Sequence, residues 1–291
     1  MFVDVRFPVE NGLRMKQVYP LVFATAIFLV ATSIIAMNRM LIENQTVMKT
    51  LSYGGENRSY WIYVPSGYNG SDPVPLVVML HGAGGNGRGA DEMSGWSTIA
   101  ESEGFIAVFP DGGVWNIYDW NGTGRNDVGF LLAVINKVQE DYVIDASRIY
   151  MTGHSMGAGM TITFALEHAD ILAAIAPASG PWLVSNRSFN IDQHSIPQLN
   201  IPIPVYIWRG GNEEWPSANE NRLQIQYWVK LDKDNEIPQV ITEGLFLTEI
   251  YAGGDAEVRY TEIKDGNHDS YRYGTTQKIW YEFFKNLRRN P

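Results

Sequence analysis

From residue 50 onward, apolar runs of strand length alternate with stretches whose apolar residues recur at helical spacing, and few architectures accommodate that order. SYWIYVP (59–65) is rich in aromatic and β-branched residues and reads as a strand; PLVVMLHG (75–82) reads as a buried one. GRGADEMSGWSTIAESEG (87–104) predicts one helix, and FIAVFPDGG (105–113) a strand closed by a turn cluster. Apolar positions 131, 132, 135 and 138 predict a helix over 127–142, before a strand at RIYMTG (148–153) and a helix at GAGMTITFALEHAD (157–170). ILAAIAPASG (171–180) and PIPVYIWRGG (202–211) read as strands, NRLQIQYWVKL (221–231) as a helix, and LFLTEIYAGG and AEVRYTEIKD as two more strands. The terminal TTQKIWYEFFKNLRR predicts a helix with Ile279, Trp280, Phe283, Phe284 and Leu287 on one face, whereas 181–201 has no period and is expected to loop over one end of the sheet. Such βα alternation implies an α/β fold with a mostly parallel central sheet and helices on both faces.

Length and charge narrow the function. The 291 residues suit one large α/β domain or two small ones, and a net charge of −10, with 22 basic against 32 acidic residues and no Lys/Arg cluster, argues against a nucleic-acid partner. Without cysteine, neither a disulfide framework nor a thiolate metal site is available. Residues 18–37 (VYPLVFATAIFLVATSIIAM) carry no charge, with Arg14 and Lys16 before them and Arg39 after. At 1.5 Å per residue they are long enough to cross a hydrocarbon layer of about 30 Å. Counted from Met15 the stretch also resembles a signal peptide, but no clean A-x-A follows, so an uncleaved anchor is favoured. Arg6, Arg14 and Lys16 predict a cytoplasmic N-terminus and an extracytoplasmic body. The expected organisation is a tail (1–17), an anchor or signal segment (18–37), a linker (38–49) and a catalytic domain (50–291).

TGHSMGAGM (152–160) sits between a predicted strand and a predicted helix. A G-x-S-x-G in that context is a nucleophile elbow, whose sharp turn projects the central serine and needs small flanking residues. Ser155 is then the candidate nucleophile, and the N–H of Met156, opening the helix, an oxyanion donor. A serine needs a base and the base an orienting acid. His168 ends a helix and His194 lies in the irregular 181–201 stretch, so His268, in KDGNHDSY after the last predicted strand, is the candidate base. The acid is expected in RGGNEEWP, where Glu213 and Glu214 are both candidates. HGAGGNG (81–87) offers a second oxyanion donor at Ala83; Gly82–Gly87 also fits G-x-G-x-x-G, with Asp111 ending the next strand, so a dinucleotide-binding domain is a rival. That rival leaves the elbow, Glu213 and His268 without a role. LDKDNEI half-matches a calcium loop but has Ile237 where glycine is required, and no H-E-x-x-H or Walker loop is present.

Taken together, RSYWIYVPSGYNG…PVPLVVMLHGAGG, GFIAVFPDG, NDVGFLLAVI and IDASRIYMTGHSMGAGM resemble secreted α/β-hydrolases of the polyhydroxybutyrate depolymerase and feruloyl/acetylxylan esterase group, over about residues 50–288. The resemblance implies hydrolysis of small-molecule or polymeric carboxylic esters with no metal or organic cofactor. It matches Ser155 to the nucleophile, His268 to the base, and Ala83 with Met156 to the oxyanion hole. Glu213 falls where the group usually has Asp, four positions after Arg209, which replaces a usual His; GNHDSY replaces a Gly-Gly-His-x-Trp-Pro sequence. Trp115, Tyr118 and Trp120 lie after a strand end, where they either stack on a sugar or aryl ring or pack their own loop. Asp127 is expected either as an N-cap or at the site. Two further readings are a serine peptidase on the same fold and a catalytically inactive, membrane-tethered polysaccharide-binding protein.

Overall fold

The computed structural model describes residues 28, 45–117, 125–180 and 201–289, and within them ten strands join one sheet. In chain order the elements are β1 (Val47–Tyr53), β2 (Glu56–Tyr63), β3 (Val74–Leu80), α1 (Gly87–Ser94), α2 (Trp96–Glu103), β4 (Ile106–Pro110), α3 (Asp127–Asp141), β5 (Ile144–His154) and α4 (Met156–His168). They continue as β6 (Ala174–Ala178), β7 (Val205–Gly210), α5 (Ala218–Asp232), β8 (Gln239–Glu243), β9 (Phe246–Tyr251), β10 (Val258–Ile263) and α6 (Thr275–Lys278). The strand order is β1-β2-β4-β3-β5-β6-β7-β10-β9-β8. The block from β4 to β10 is parallel, and antiparallel pairs finish both edges.

The central strands are continuous apolar runs because both of their faces are covered. Along β3, Leu76, Val78 and Leu80 join one core cluster with Phe130, Val134, Phe164 and Trp228 of α3, α4 and α5. Val77 and Met79 point the other way, into a second cluster with Trp96, Ile99, Trp280 and Phe284. The period-2 alternation of one strand thus feeds two cores, and helices lie on both faces as the sequence predicts.

Several boundaries differ from expectation. The helix read over 87–104 breaks at Gly95, which adopts φ 69° and closes α1 through its N–H to Asp91 O. β1 begins at Val47, inside the stretch read as linker, because Val47, Met48 and Lys49 pair with Ile62, Trp61 and Tyr60 of β2. After α6 the terminal helix widens to π winding over Ile279–Phe283 and tightens over Phe284–Asn286, which buries the adjacent Phe283 and Phe284 together. Apart from Phe28, residues 18–37 lie outside the described residues, as do residues 181–200 with His194 among them, for which the sequence predicts a loop. Among the described residues no helix is long and apolar enough to cross a membrane.

Asp232 ends α5 fully buried, and neither carboxylate oxygen finds a well-formed hydrogen bond. Burial, and then the neighbouring Asp234, push its pKa up to about 8. In the unfolded chain an aspartate titrates near about 4, so between these values the folded state holds the extra proton and stability falls as pH rises. Asp232→Asn removes that ionisation. Its stability relative to wild type, read from melting temperatures, is expected to climb by about 3–4 kcal/mol between pH 5 and pH 8. Parallel melting at both pH values would contradict this.

Candidate active site

The sheet order reverses direction between β3 and β5: the chain runs from β3 out to β4, then returns past β3 to β5. Loops leaving the carboxyl ends of those two strands part there and open a crevice. Leu80 is in register with Gly153, so the loop after β3 and the turn after β5 start level with one another.

At that turn Ser155 adopts φ 53° and ψ −120° between β5 and α4, and its side chain makes no capping bond. This is a sparsely populated region for a non-glycine residue, and the surroundings enforce it. Ser155 N–H donates to Ala178 O at 2.9 Å, and Ser155 O accepts from Ala158 N at 2.9 Å. A Cβ on Gly153 would overlap Gly157 O, and one on Gly157 would overlap the carbonyls of Leu80 and His81. The flanking glycines therefore let α4 close onto the strand ends. Met156 opens α4, so its N–H is among the helix-end donors without an intrahelical partner, at the positive end of the dipole.

The loop after β3 is set by His81. Its Nε2 accepts the Gly112 N–H at 2.9 Å, which leaves the proton on Nδ1 to donate to Gly82 O at 2.6 Å. Burial lowers the pKa of this imidazole and keeps it neutral. Gly85 N–H also donates to Gly82 O, at 3.1 Å. In a trans peptide the following N–H points opposite to the carbonyl, so fixing Gly82 O aims the N–H of Ala83 away from His81. Ala83 is exposed, and a Cβ on Gly82 would lie 3.4 Å from Ser155 Cβ.

The candidate acid and the candidate base arrive from the loops after β7 and β10. Glu213 Oε2 lies 3.4 Å from His268 Nδ1, the long end of hydrogen-bond reach and common in unliganded sites. Its Oε1 accepts from Ser179 Oγ at 2.5 Å and from Gly210 N–H at 2.6 Å. Glu213 is 7% exposed, whereas Glu214 is exposed and turned to solvent. Of the two candidate acids, Glu213 is the one brought to His268. Arg209 Nη2 donates to Glu213 O at 2.6 Å and Nη1 pairs with Glu262 at 3.0 Å, so the turn that carries Glu213 is tied to β10. Asn212 N–H donates to Gly266 O at 2.8 Å, tying the loop of Glu213 to the loop of His268.

Other candidates have structural places. Trp115 is 2% exposed; its Nε1–H donates to His81 O at 2.9 Å and its ring packs 4.9 Å from the His81 ring. It packs its loop and offers no platform to a substrate. Tyr118 and Trp120 lie outside the described residues. Asn126, not Asp127, caps α3, accepting from Gly129 N–H. Asp127 is buried and paired with Arg58 at 2.7 Å and Arg125 at 2.9 Å, away from any acid–base role. Ser179, His81 and His154 were not singled out from sequence; only His81 and His154 carry a local signal, flanking the two glycine-rich turns. Among the described residues no three His, Asp or Glu side chains gather to hold a metal ion.

The chain is similar to proteins named as esterases and depolymerases. Residues 58–191 match the Esterase PHB depolymerase family. The Esterase PHB depolymerase segment contains Ala83, Ser155 and Met156 and ends before Glu213 and His268. The chain is 32% identical over 160 residues to the bifunctional acetylxylan esterase/xylanase XynS20E of Neocallimastix patriciarum, covering 55% of this chain and 22% of that protein. It is 33% identical over 130 residues to a probable feruloyl esterase C of Aspergillus flavus (43% and 47% covered). With poly(3-hydroxyalkanoate) depolymerase C of Paucimonas lemoignei it shares 30% identity over 162 residues (52% and 38% covered). The matches thus span less than half the length of each of these relatives. An acetyl xylan esterase from Aspergillus awamori superposes with a TM-score of 0.68 at 20% identity, over 81% of this chain and 99% of that one. The fold is that of the α/β-hydrolase esterases.

Proposed function

We propose that this chain hydrolyses carboxylic esters through a Ser155–His268–Glu213 triad and a covalent acyl-enzyme. The observation that carries the reading is the 3.4 Å approach of Glu213 to His268, residues 55 apart in the chain. Both lie outside the matched segment, and both sit on loops at the carboxyl edge of the sheet that presents Ser155. The relatives, named for acetylxylan, feruloyl and polyhydroxyalkanoate esters, support an ester bond, on a cell-wall polysaccharide or a polyester, as the substrate class.

In the reaction Ser155 Oγ adds to the acyl carbon while His268 Nε2 takes its proton, and Glu213 holds the Nδ1–H and balances the imidazolium. The N–H groups of Met156 and Ala83 receive the oxyanion, each worth about 3 kcal/mol in the transition state. Collapse expels the alcohol, protonated by His268, and leaves an ester on Ser155. Water, giving its proton to the same imidazole, then releases the acid and restores the serine. The uncharged 18–37 stretch supports delivery of this chemistry outside the cytoplasm, by an anchor or a signal segment.

The test is turnover of p-nitrophenyl acetate, methyl ferulate and acetylated xylan beside matched amides. Ester turnover exceeding amide turnover by about 100-fold or more is expected, because an alcohol leaves the tetrahedral intermediate more readily than an amine and asks less of His268 as the acid. Preference for amides would move the chain to the peptidases. Binding of polysaccharide with no turnover would make it a binding protein.

A further inference from the structure

His154 takes no part in the proton path above, yet its ring sits where three loops of the site converge. It is the chain neighbour of Ser155. Its Nε2 lies 2.5 Å from the backbone carbonyl oxygen of His268, and the two imidazole rings lie 4.9 Å apart, tilted by 57°. Its Nδ1 faces the loop after β3, at 3.4 Å from where a Cβ on Gly82 would sit. The Tyr271 ring packs edge-on at 6.2 Å.

A carbonyl oxygen only accepts, so the His154 proton must be on Nε2. Burial lowers the pKa of this imidazole, and the bond to the His268 carbonyl opposes the shift; His268 and Glu213 act on it from across the site. The side chain is thus a neutral, Nε2-protonated donor. His268 needs such a partner, since its own side chain is 44% exposed and its bond to Glu213 is long. Glu213 restrains the ring at one nitrogen but leaves the backbone that carries it to the loop.

We propose that His154 is a positioning residue: its Nε2–H anchors the carbonyl of His268 and thereby registers the base against the serine one residue away. The proposal rests on the triad reading above. A base held through the residue adjacent to the nucleophile keeps its distance to Ser155 even when the loop after β10 moves relative to the sheet, and a misplacement of about 1 Å costs roughly 100-fold in rate.

Two substitutions separate this role from packing. His154→Phe keeps the ring and its volume and removes the donor; His154→Gln keeps a donor at the Nε position and removes the ring. With p-nitrophenyl acetate, the Phe variant is expected to lose about 10- to 100-fold in kcat with KM within about twofold of wild type. The Gln variant is expected to stay within about fivefold of wild type in kcat. Backbone amide exchange over residues 266–269 should accelerate in the Phe variant and not in the Gln variant. A packing role predicts the reverse order, and that result, or unchanged exchange in the Phe variant, overturns the proposal. Because exchange needs no turnover, an inactive wild type would refute the triad while His154 is still decided. Ring nitrogen shifts in the wild type give an independent check, and a proton on Nδ1 of His154 would overturn the proposal without any variant.

Discussion

Ser155→Ala is expected to lower ester turnover by about 10⁴-fold or more while the protein stays folded. The hydroxyl makes no capping bond to α4, so removing it leaves no buried group unsatisfied and no helix end uncapped. Residual rate over water would come from the oxyanion donors and substrate binding, which the substitution leaves in place. The backbone strain stays too, because φ 53° at this position is as unfavourable for alanine as for serine. Ser155→Gly relaxes it. The glycine variant should be as inactive as the alanine variant and more stable by about 1 kcal/mol, read as a higher melting temperature. Alanine and glycine variants that retain turnover would remove Ser155 from the chemistry.

Glu213→Gln is expected to cost about 10³- to 10⁴-fold in kcat/KM, and Glu214→Gln less than about twofold. The contrast follows from what each carboxylate faces. Glu213 accepts from the N–H of Gly210 and from Ser179 at one oxygen and faces His268 with the other. A glutamine keeps the shape, and Gly210 fixes its carbonyl on the inner side, so its NH₂ must face His268. Nδ1 then has to offer a lone pair, the imidazole proton moves to Nε2, and the base can no longer accept from Ser155. Glu214 points to solvent and has none of these constraints. Equal losses in the two variants would contradict the assignment of the acid.

The central strands were legible because burial on both faces leaves a run such as PLVVML with no polar residue to confuse its reading. The elbow at Ser155 and the loop position of His268 were legible because glycines around a serine, and a histidine just past a last strand, are local signals. The choice between Glu213 and Glu214 was not, since it depends on Arg209, Ser179 and Gly210 arriving from separate strand ends. At Trp115 the sequence leaves both readings open, since an aromatic after a strand end suits a substrate platform or its own loop, and only the packing against His81 and beside Gly112 decides that it faces inward. β1 was missed because VMKTLSY is largely exposed and its order comes from pairing with β2, not from an apolar pattern. The break at Gly95 was signalled by Ser94-Gly95, but the helical period continues on both sides of it. His154 went unremarked because the elbow pattern leaves its position free, and what it touches comes from a loop 114 residues away.

The central claim, that Ser155 is an activated nucleophile, is met most directly by labelling with a fluorophosphonate and locating the adduct by mass spectrometry. The account predicts one phosphonyl group on the peptide containing Ser155, forming in step with the loss of ester turnover and absent after Ser155→Ala. Turnover that survives complete labelling, or an adduct that forms on another residue as activity disappears, would contradict it.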